Sequence, residues 1–251
     1  MNSYEGSHRQ RIPVGSSMSR YEKVHWRIIP NYSERSDIMT VLKKSVRSDN
    51  PLSRKHIVFL GSSVTYGAAS NGVSFVNFLA EKTGCRVTKE AVSGTMLVDD
   101  APDSYICRMR KLNPEMKVDL FVCQLSTNDA TQMKELGEAC RTYDMDDFDT
   151  LTVAGAIEYI IAYARKTWNC PVAFYTSPRY DSGQYAAMVV LLQSIQCKWN
   201  IALIDLWNDA AFNDITTEQR SRYMADSIHP TREGYLEWWT PYFKRVIVSA
   251  F

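Results

Sequence analysis

The sequence predicts an α/β fold, a three-layer α/β/α sandwich on a largely parallel five-stranded sheet, and three observations carry that prediction. A rhythm of strand-like run, loop and stretch of helical spacing repeats five times along the chain. The first of them, Ile57-Val58-Phe59-Leu60-Gly61, is apolar throughout, as a strand buried on both faces should be. Finally, 251 residues suit one such domain, long enough to bury about three quarters of the surface of its unfolded chain.

Taken in order, residues 1–50 read as a basic arm carrying one helix. Lys and Arg outnumber Asp and Glu eleven to five over residues 1–55, so this stretch carries +6 and the remainder −5 of a net +1. A basic arm can bind nucleic acid. Here the positive residues are dispersed among acids, and no zinc-finger, KH or RNP signature accompanies them, so no nucleic-acid partner is expected. Val24, Trp26, Ile28 and Ile29 alternate in strand fashion. Ile38, Val41, Leu42 and Val46 then share a helix face behind the N-cap candidate Ser36. The arm is expected to pack on the domain or on a second copy of the chain.

The domain proper is placed at residues 51–251. Val73–Ala80 predicts a sheet-covering helix ended by Gly84, and Cys85–Ala91 a second strand. A short helix over Pro102–Leu112 precedes the third strand, Val118–Gln124. Leu151 to Trp168 keeps helical spacing, Pro171–Thr176 is the fourth strand, Gln184–Trp199 a helix, and Ile201–Leu206 the fifth strand. Pro230 is placed to open a last helix from Thr231 to about Val248.

Other features set limits. The six cysteines form no Cys-x-x-Cys pair and read as reduced core residues, with no zinc site. Asp144, Asp146, Asp147 and Asp149 suggest a calcium loop, but the sixth position from Asp144 is Asp149 rather than glycine and the twelfth is Gly155 rather than glutamate. That segment is expected to be a solvated loop near the mouth of the site. No apolar run nears 18 residues and no secretory leader is visible, so no membrane span and a cytoplasmic location are expected.

Chemistry-bearing residues gather where strands end, the edge at which open α/β sheets keep their ligands. Ser63 follows the first strand in Gly61-Ser62-Ser63, where a serine is either a turn former or a nucleophile. Gly94 follows the second, where glycine lets a backbone N–H approach a ligand. Asn128-Asp129 follows the third. Near the end stands Asp226-Ser-Ile-His229-Pro230, in which a tight loop can fold the carboxylate under the imidazole, hold Nδ1–H and leave Nε2 free to face a serine.

Phe59-Leu60-Gly61-Ser62-Ser63-Val64-Thr65-Tyr66-Gly67, Gly94, Ser126-Thr127-Asn128-Asp129 and Asp226-x-x-His229-Pro230 together, in this order, resemble the sequence blocks of the SGNH (GDSL-type) hydrolases. Ser62 stands where that family usually has aspartate, and Ser126 where it usually has glycine. The resemblance covers roughly residues 55 to 248 and implies a flavodoxin-like SGNH hydrolase fold and a serine esterase or acylhydrolase. It implies Ser63 as nucleophile with Asp226 and His229 completing a catalytic triad. The oxyanion hole would be the Ser63 amide, the Gly94 amide and the Asn128 side chain. No metal and no cofactor are implied.

The expected substrate is a small-molecule ester with a small acyl group, acetyl on a sugar being the preferred case. Tyr66, Tyr180, Trp207, Trp238 and Trp239 are candidates to stack on a sugar face. Two other readings stay open: an acyltransferase using the same site, and a catalytically silent binding module of the same fold. Nucleotide binding is disfavoured, since neither Gly-x-x-x-x-Gly-Lys nor Gly-x-Gly-x-x-Gly occurs.

Overall fold

The computed structural model describes residues 50–249. The strand-like and helical segments expected in the basic arm, and its packing, lie outside the described residues. Five parallel strands form one sheet: β1 (His56–Gly61), β2 (Arg86–Ala91), β3 (Leu120–Gln124), β4 (Val172–Tyr175) and β5 (Ala202–Ile204), in the order β2-β1-β3-β4-β5. All five fall on the runs predicted for them.

Side chains on successive strand residues point to opposite faces, and this divides the core in two. Val58, Leu60, Phe121, Cys123, Val172 and Phe174 pack on one face, under α3 (Tyr105–Met109), α5 (Val153–Trp168) and α6 (Gly183–Trp199). Ile57, Phe59, Leu120, Val122, Ala173 and Tyr175 pack on the other, under α2 (Phe75–Thr83) and the C-terminal α9 (Thr240–Val248). Phe75 is the centre of that second layer. Its ring lies 4.1 Å from Phe243, 5.5 Å from Trp239 and 5.7 Å from Phe59, centroid to centroid. A buried aromatic of this kind stabilises by about 1.5–3 kcal/mol, so this cluster fixes α2 and α9 to the sheet and, with them, the loops they lead from.

Short helices that periodicity does not announce appear where the chain leaves the sheet. They are α1 (Ser63–Tyr66) after β1, α4 (Thr127–Thr131) after β3, and α7 (Ala210–Asn213) and α8 (Thr217–Tyr223) after β5. The last helix also differs from the continuous α-helix expected from Thr231. Gly234–Trp239 is wound as a π-helix before α9 begins. Pro241 has no N–H to give, and the backbone and hydroxyl of Thr240 both reach back five residues to the Tyr235 carbonyl, the hydroxyl at 2.6 Å.

Cys85, Cys123 and Cys170 are buried as expected, but Cys107 and Cys140 are only half-buried and Cys197 is exposed, so these three are not core residues. The Asp144–Asp147 segment is solvent-exposed, as expected, but its place differs. Lys198 donates to the carbonyls of Cys140 and Thr142 and pairs with the buried Glu158, which also accepts from Trp199 Nε1 at 2.7 Å. These bonds hold the loop at the end of α6 that feeds β5, not at the strand ends that bear Ser63. Among the described residues no helix is long and apolar enough to cross a membrane.

Candidate functional site

Ser63 is the first residue of α1, directly after the strand-to-helix turn. The turn is tight because Gly61 has no side chain: a Cβ there would lie 1.8 Å from Thr65 Oγ1 and 2.8 Å from Gln124 Oε1. Beneath it runs a fully buried polar network. Gln124 Oε1 accepts from the Ser62 and Thr65 amides at 3.0 and 3.2 Å and from Thr65 Oγ1 at 2.7 Å, while Gln124 Nε2 donates to Ser62 Oγ at 3.2 Å. Ser62, in the position where an aspartate was expected, is thus one arm of this network. Tyr175 closes it, its hydroxyl 2.6 Å from Thr65 Oγ1.

A one-turn helix leaves its last carbonyls without intrahelical partners. In α1 the first is closed by the helix's own C-cap and the other three are met from different parts of the chain. The Ser63 carbonyl accepts from the Gly67 amide, that of Val64 from the Tyr235 hydroxyl at 2.7 Å, that of Thr65 from Ser74 Oγ at 2.6 Å, and that of Tyr66 from Lys89 Nζ at 3.0 Å. At its other end the Ser63 amide has no acceptor among the described residues.

Asp226, His229 and Ser63 meet across 166 residues of sequence. His229 Nε2 lies 2.8 Å from Ser63 Oγ, and His229 Nδ1 lies 2.7 Å from Asp226 Oδ2. The other carboxylate oxygen accepts from the backbone amides of Ile228 and His229, each at 2.7 Å. An isolated antiparallel bridge between Met224 and Pro230 closes the loop on itself. Burial alone would push the Asp226 carboxyl up, but the hydrogen bonds from the His229 ring and the two amides outweigh it and hold the carboxyl below its ordinary range. An ionised Asp226 only accepts, which makes Nδ1 the donor and turns the Nε2 lone pair toward the serine hydroxyl.

Gly94 and Asn128 lie on the neighbouring loops. Gly94 has φ +83°, a conformation that favours glycine, and its amide has no acceptor among the described residues. Asn128 Nδ2 donates one hydrogen to the Thr95 carbonyl at 2.9 Å, leaving its second uncommitted. Ser126, in the position where a glycine was expected, has an ordinary extended backbone and caps α4, its Oγ accepting from the amides of Asn128 and Asp129. The serine therefore aims the asparagine instead of distorting its loop.

Sequence reasoning left three supporting residues unassigned. Asp129 is buried and takes the amides of Leu97 and Val98 at 2.8 and 3.2 Å, fastening the Gly94 loop to α4. Burial pushes its carboxyl up despite those bonds and one from Ser126. Gln124 and Arg108 are the others. A polar residue ending an apolar strand, and an arginine within a short apolar helix, were the available signals.

Beside Asp226 opens a cleft of about 420 Å³, lined by Arg179, Tyr180, Arg220, Met224, Asp226 and Ser227 among others. Of the aromatic residues proposed to stack on a sugar, Tyr180 lines this cleft and Tyr66 is exposed. Trp207, Trp238 and Trp239 are core residues instead. Among the described residues no three His, Cys, Asp or Glu side chains gather as metal ligands.

Comparison with known proteins bears on the family and the fold. The model of the GDSL-like lipase/acylhydrolase family matches residues 59–236. A Bacteroides ovatus protein named as a GDSL-like lipase superposes with a TM-score of 0.57 at 19% identity, covering 78% of this chain and 99% of its own. A Slackia heliotrinireducens protein named as an SGNH hydrolase gives 0.53 at 16%, covering 79% and 99%. A family two carbohydrate esterase from Clostridium thermocellum, solved with cellohexaose, gives 0.53 at 13%, covering 78% and 65%. At these identities the structures speak to the fold alone. No curated protein matches the chain.

Proposed function

This chain belongs to the GDSL-like lipase/acylhydrolase family of SGNH-type hydrolases, and from that premise we propose that it is a serine esterase that cleaves a small acyl ester through an acyl-enzyme on Ser63. The observation that carries the reading is the continuous path from Asp226 Oδ2 through the His229 ring to Ser63 Oγ, two contacts of 2.7 and 2.8 Å.

A serine hydroxyl is a poor nucleophile until a base accepts its proton. His229 Nε2 takes it as Oγ attacks the ester carbonyl carbon, and Asp226 stabilises the imidazolium that forms. The carbonyl oxygen becomes an oxyanion and needs donors that are already in place. The Ser63 and Gly94 amides and the free Asn128 Nδ2 hydrogen are the donors proposed, each without a competing acceptor among the described residues. Collapse breaks the bond to the alcohol oxygen, which leaves with the proton held by His229. Water then enters, gives a proton to His229 and attacks the acyl carbon; the bond to Ser63 Oγ breaks, His229 returns the proton to that oxygen, and the acid is released. The His229 side chain is 28% exposed, so water can reach the base.

The cleft beside Asp226 supports a small substrate, and Tyr180 gives it an aromatic wall. Acetyl esters of sugars fit these features. The test is a series of activated esters of increasing acyl length assayed with wild type and Ser63→Ala. Turnover of the short members, abolished by the substitution, is expected; undiminished turnover in Ser63→Ala would remove the nucleophile from the scheme.

A further inference from the structure

We propose that Arg108 is a positioning residue for the oxyanion donors, setting the separation of the Ser63 and Gly94 amides; the inference rests on the esterase reading of the site. Arg108 is 6% exposed, in α3, on the face of the sheet away from α2 and α9. A guanidinium carries five N–H donors in a rigid plane, and here each has an acceptor. Nε donates to the Asp103 carbonyl at 2.9 Å. Nη1 donates to the carbonyl of Glu90 at 3.1 Å and to its carboxylate at 3.0 Å. Nη2 donates to the Gly61 carbonyl at 2.9 Å and to Thr95 Oγ1 at 3.0 Å.

The last two bonds carry the inference. Gly61 lies two residues before Ser63, and Thr95 directly follows Gly94. A single NH₂ group therefore spans the two loops that present the backbone donors. Thr95 is also where the third donor is tied in: its carbonyl accepts from Asn128 Nδ2, and its hydroxyl donates to the Val92 carbonyl at 2.7 Å, closing the turn that contains Gly94. Strand end, Gly94 turn and asparagine thus share one anchor. An interaction that only filled space beside the Tyr105 ring, 5.2 Å from the guanidinium carbon, would not need this division of its hydrogen bonds.

Lysine in place of Arg108 keeps the charge and most of the length but has three donors on one atom, so it cannot hold Gly61 and Thr95 while also reaching Asp103 and Glu90. In Arg108→Lys, kcat is expected to fall about 10- to 100-fold with KM unchanged. The affinity of a trifluoromethyl ketone, which forms a tetrahedral oxyanion adduct on the serine, should fall in parallel. Combined with Asn128→Ala, the losses should be smaller than their product, since both act on the same oxyanion. An unchanged kcat, a strictly multiplicative double variant, or a kcat loss with undiminished ketone affinity would overturn the proposal. Should wild type neither turn over esters nor take up the ketone, the esterase reading fails separately. The amide resonances of Ser63 and Gly94 in Arg108→Lys then decide whether this residue holds the two loops together: shifts confined to these loops support it, and unmoved resonances refute it.

Discussion

The hydroxyl of Tyr235 donates to the carbonyl of Val64 at 2.7 Å, joining the helix that follows His229 to the one-turn helix that begins at Ser63. Both residues are fully buried, and 171 positions separate them in the chain. The bond ties the two halves of the proposed catalytic pair together beside the pair's own contact. Tyr235→Phe keeps the ring and removes the tie, leaving a buried carbonyl without its donor. That costs about 1–3 kcal/mol, measurable as a lower denaturant midpoint. Turnover should fall with it, because His229 and Ser63 lose a shared anchor. Unaltered stability would mean that water replaces the hydroxyl at Val64.

Asn128→Ala removes a proposed oxyanion donor and also frees the Thr95 carbonyl. Loss of one such donor lowers kcat by about 10²–10³. KM should change little, since the donor acts on charge that develops only during attack. Steady-state kinetics on one short ester decides it, and an effect confined to KM would assign Asn128 to binding.

Much of this was legible in the chain. Four of the five strands announce themselves as apolar runs, as a sheet covered on both faces requires; the edge strand β2 is polar and only partly buried, and showed itself by its place between a helix end and a glycine turn. Ser63, Gly94, Asn128, Asp226 and His229 stood out as candidates only together, through the ordered blocks that resemble the SGNH hydrolases, since each short pattern alone is an ordinary turn. What could not be read was the long-range polar support. Gln124 serves Ser62 and Thr65 across about sixty residues, and Arg108 serves Gly61 across 47. Nothing local distinguishes such a residue from an ordinary polar one. The short helices α7 and α8 escaped because four and seven residues are too few for a 3.6-residue period to emerge.

The pH response follows from Asp226. Its folded-state pKa is depressed by the His229 ring and the amides of Ile228 and His229. A depressed carboxyl contributes stability that is present above the unfolded value of about 3.9 and is lost as pH falls through the lower folded value. The side chain is 56% exposed, so salt should weaken this contribution. Asp226→Asn is expected to flatten the stability profile on the acid side and leave it unaltered at neutral pH in slope. If the proposed triad operates, its kcat should drop by up to about 10⁴, the loss known for triads in which an amide leaves the imidazole in the wrong tautomer. An undiminished kcat in Asp226→Asn would remove Asp226 from the proposed triad.

Two glycines at the site should respond differently to alanine. At Gly61 the added Cβ would lie 1.8 Å from Thr65 Oγ1 and 2.6 Å from Thr65 Cβ, well inside contact distance. Thr65 would have to leave both Gln124 and Tyr175, breaking the buried network under the turn that carries Ser63. Overpacking of this kind costs about 1–3 kcal/mol, with the orphaned polar groups added to it. At Gly94 the same Cβ meets nothing within 4 Å, so the penalty is only the left-handed backbone at φ +83°, about 1–2 kcal/mol. Gly61→Ala should therefore lower the thermal midpoint more than Gly94→Ala does. Gly94→Ala should lose kcat out of proportion to its stability, because relaxing that backbone turns the amide proposed to meet the oxyanion. Thermal unfolding and kinetics of the two variants side by side test the order, and equal midpoints would show that Thr65 yields more easily than its hydrogen bonds imply.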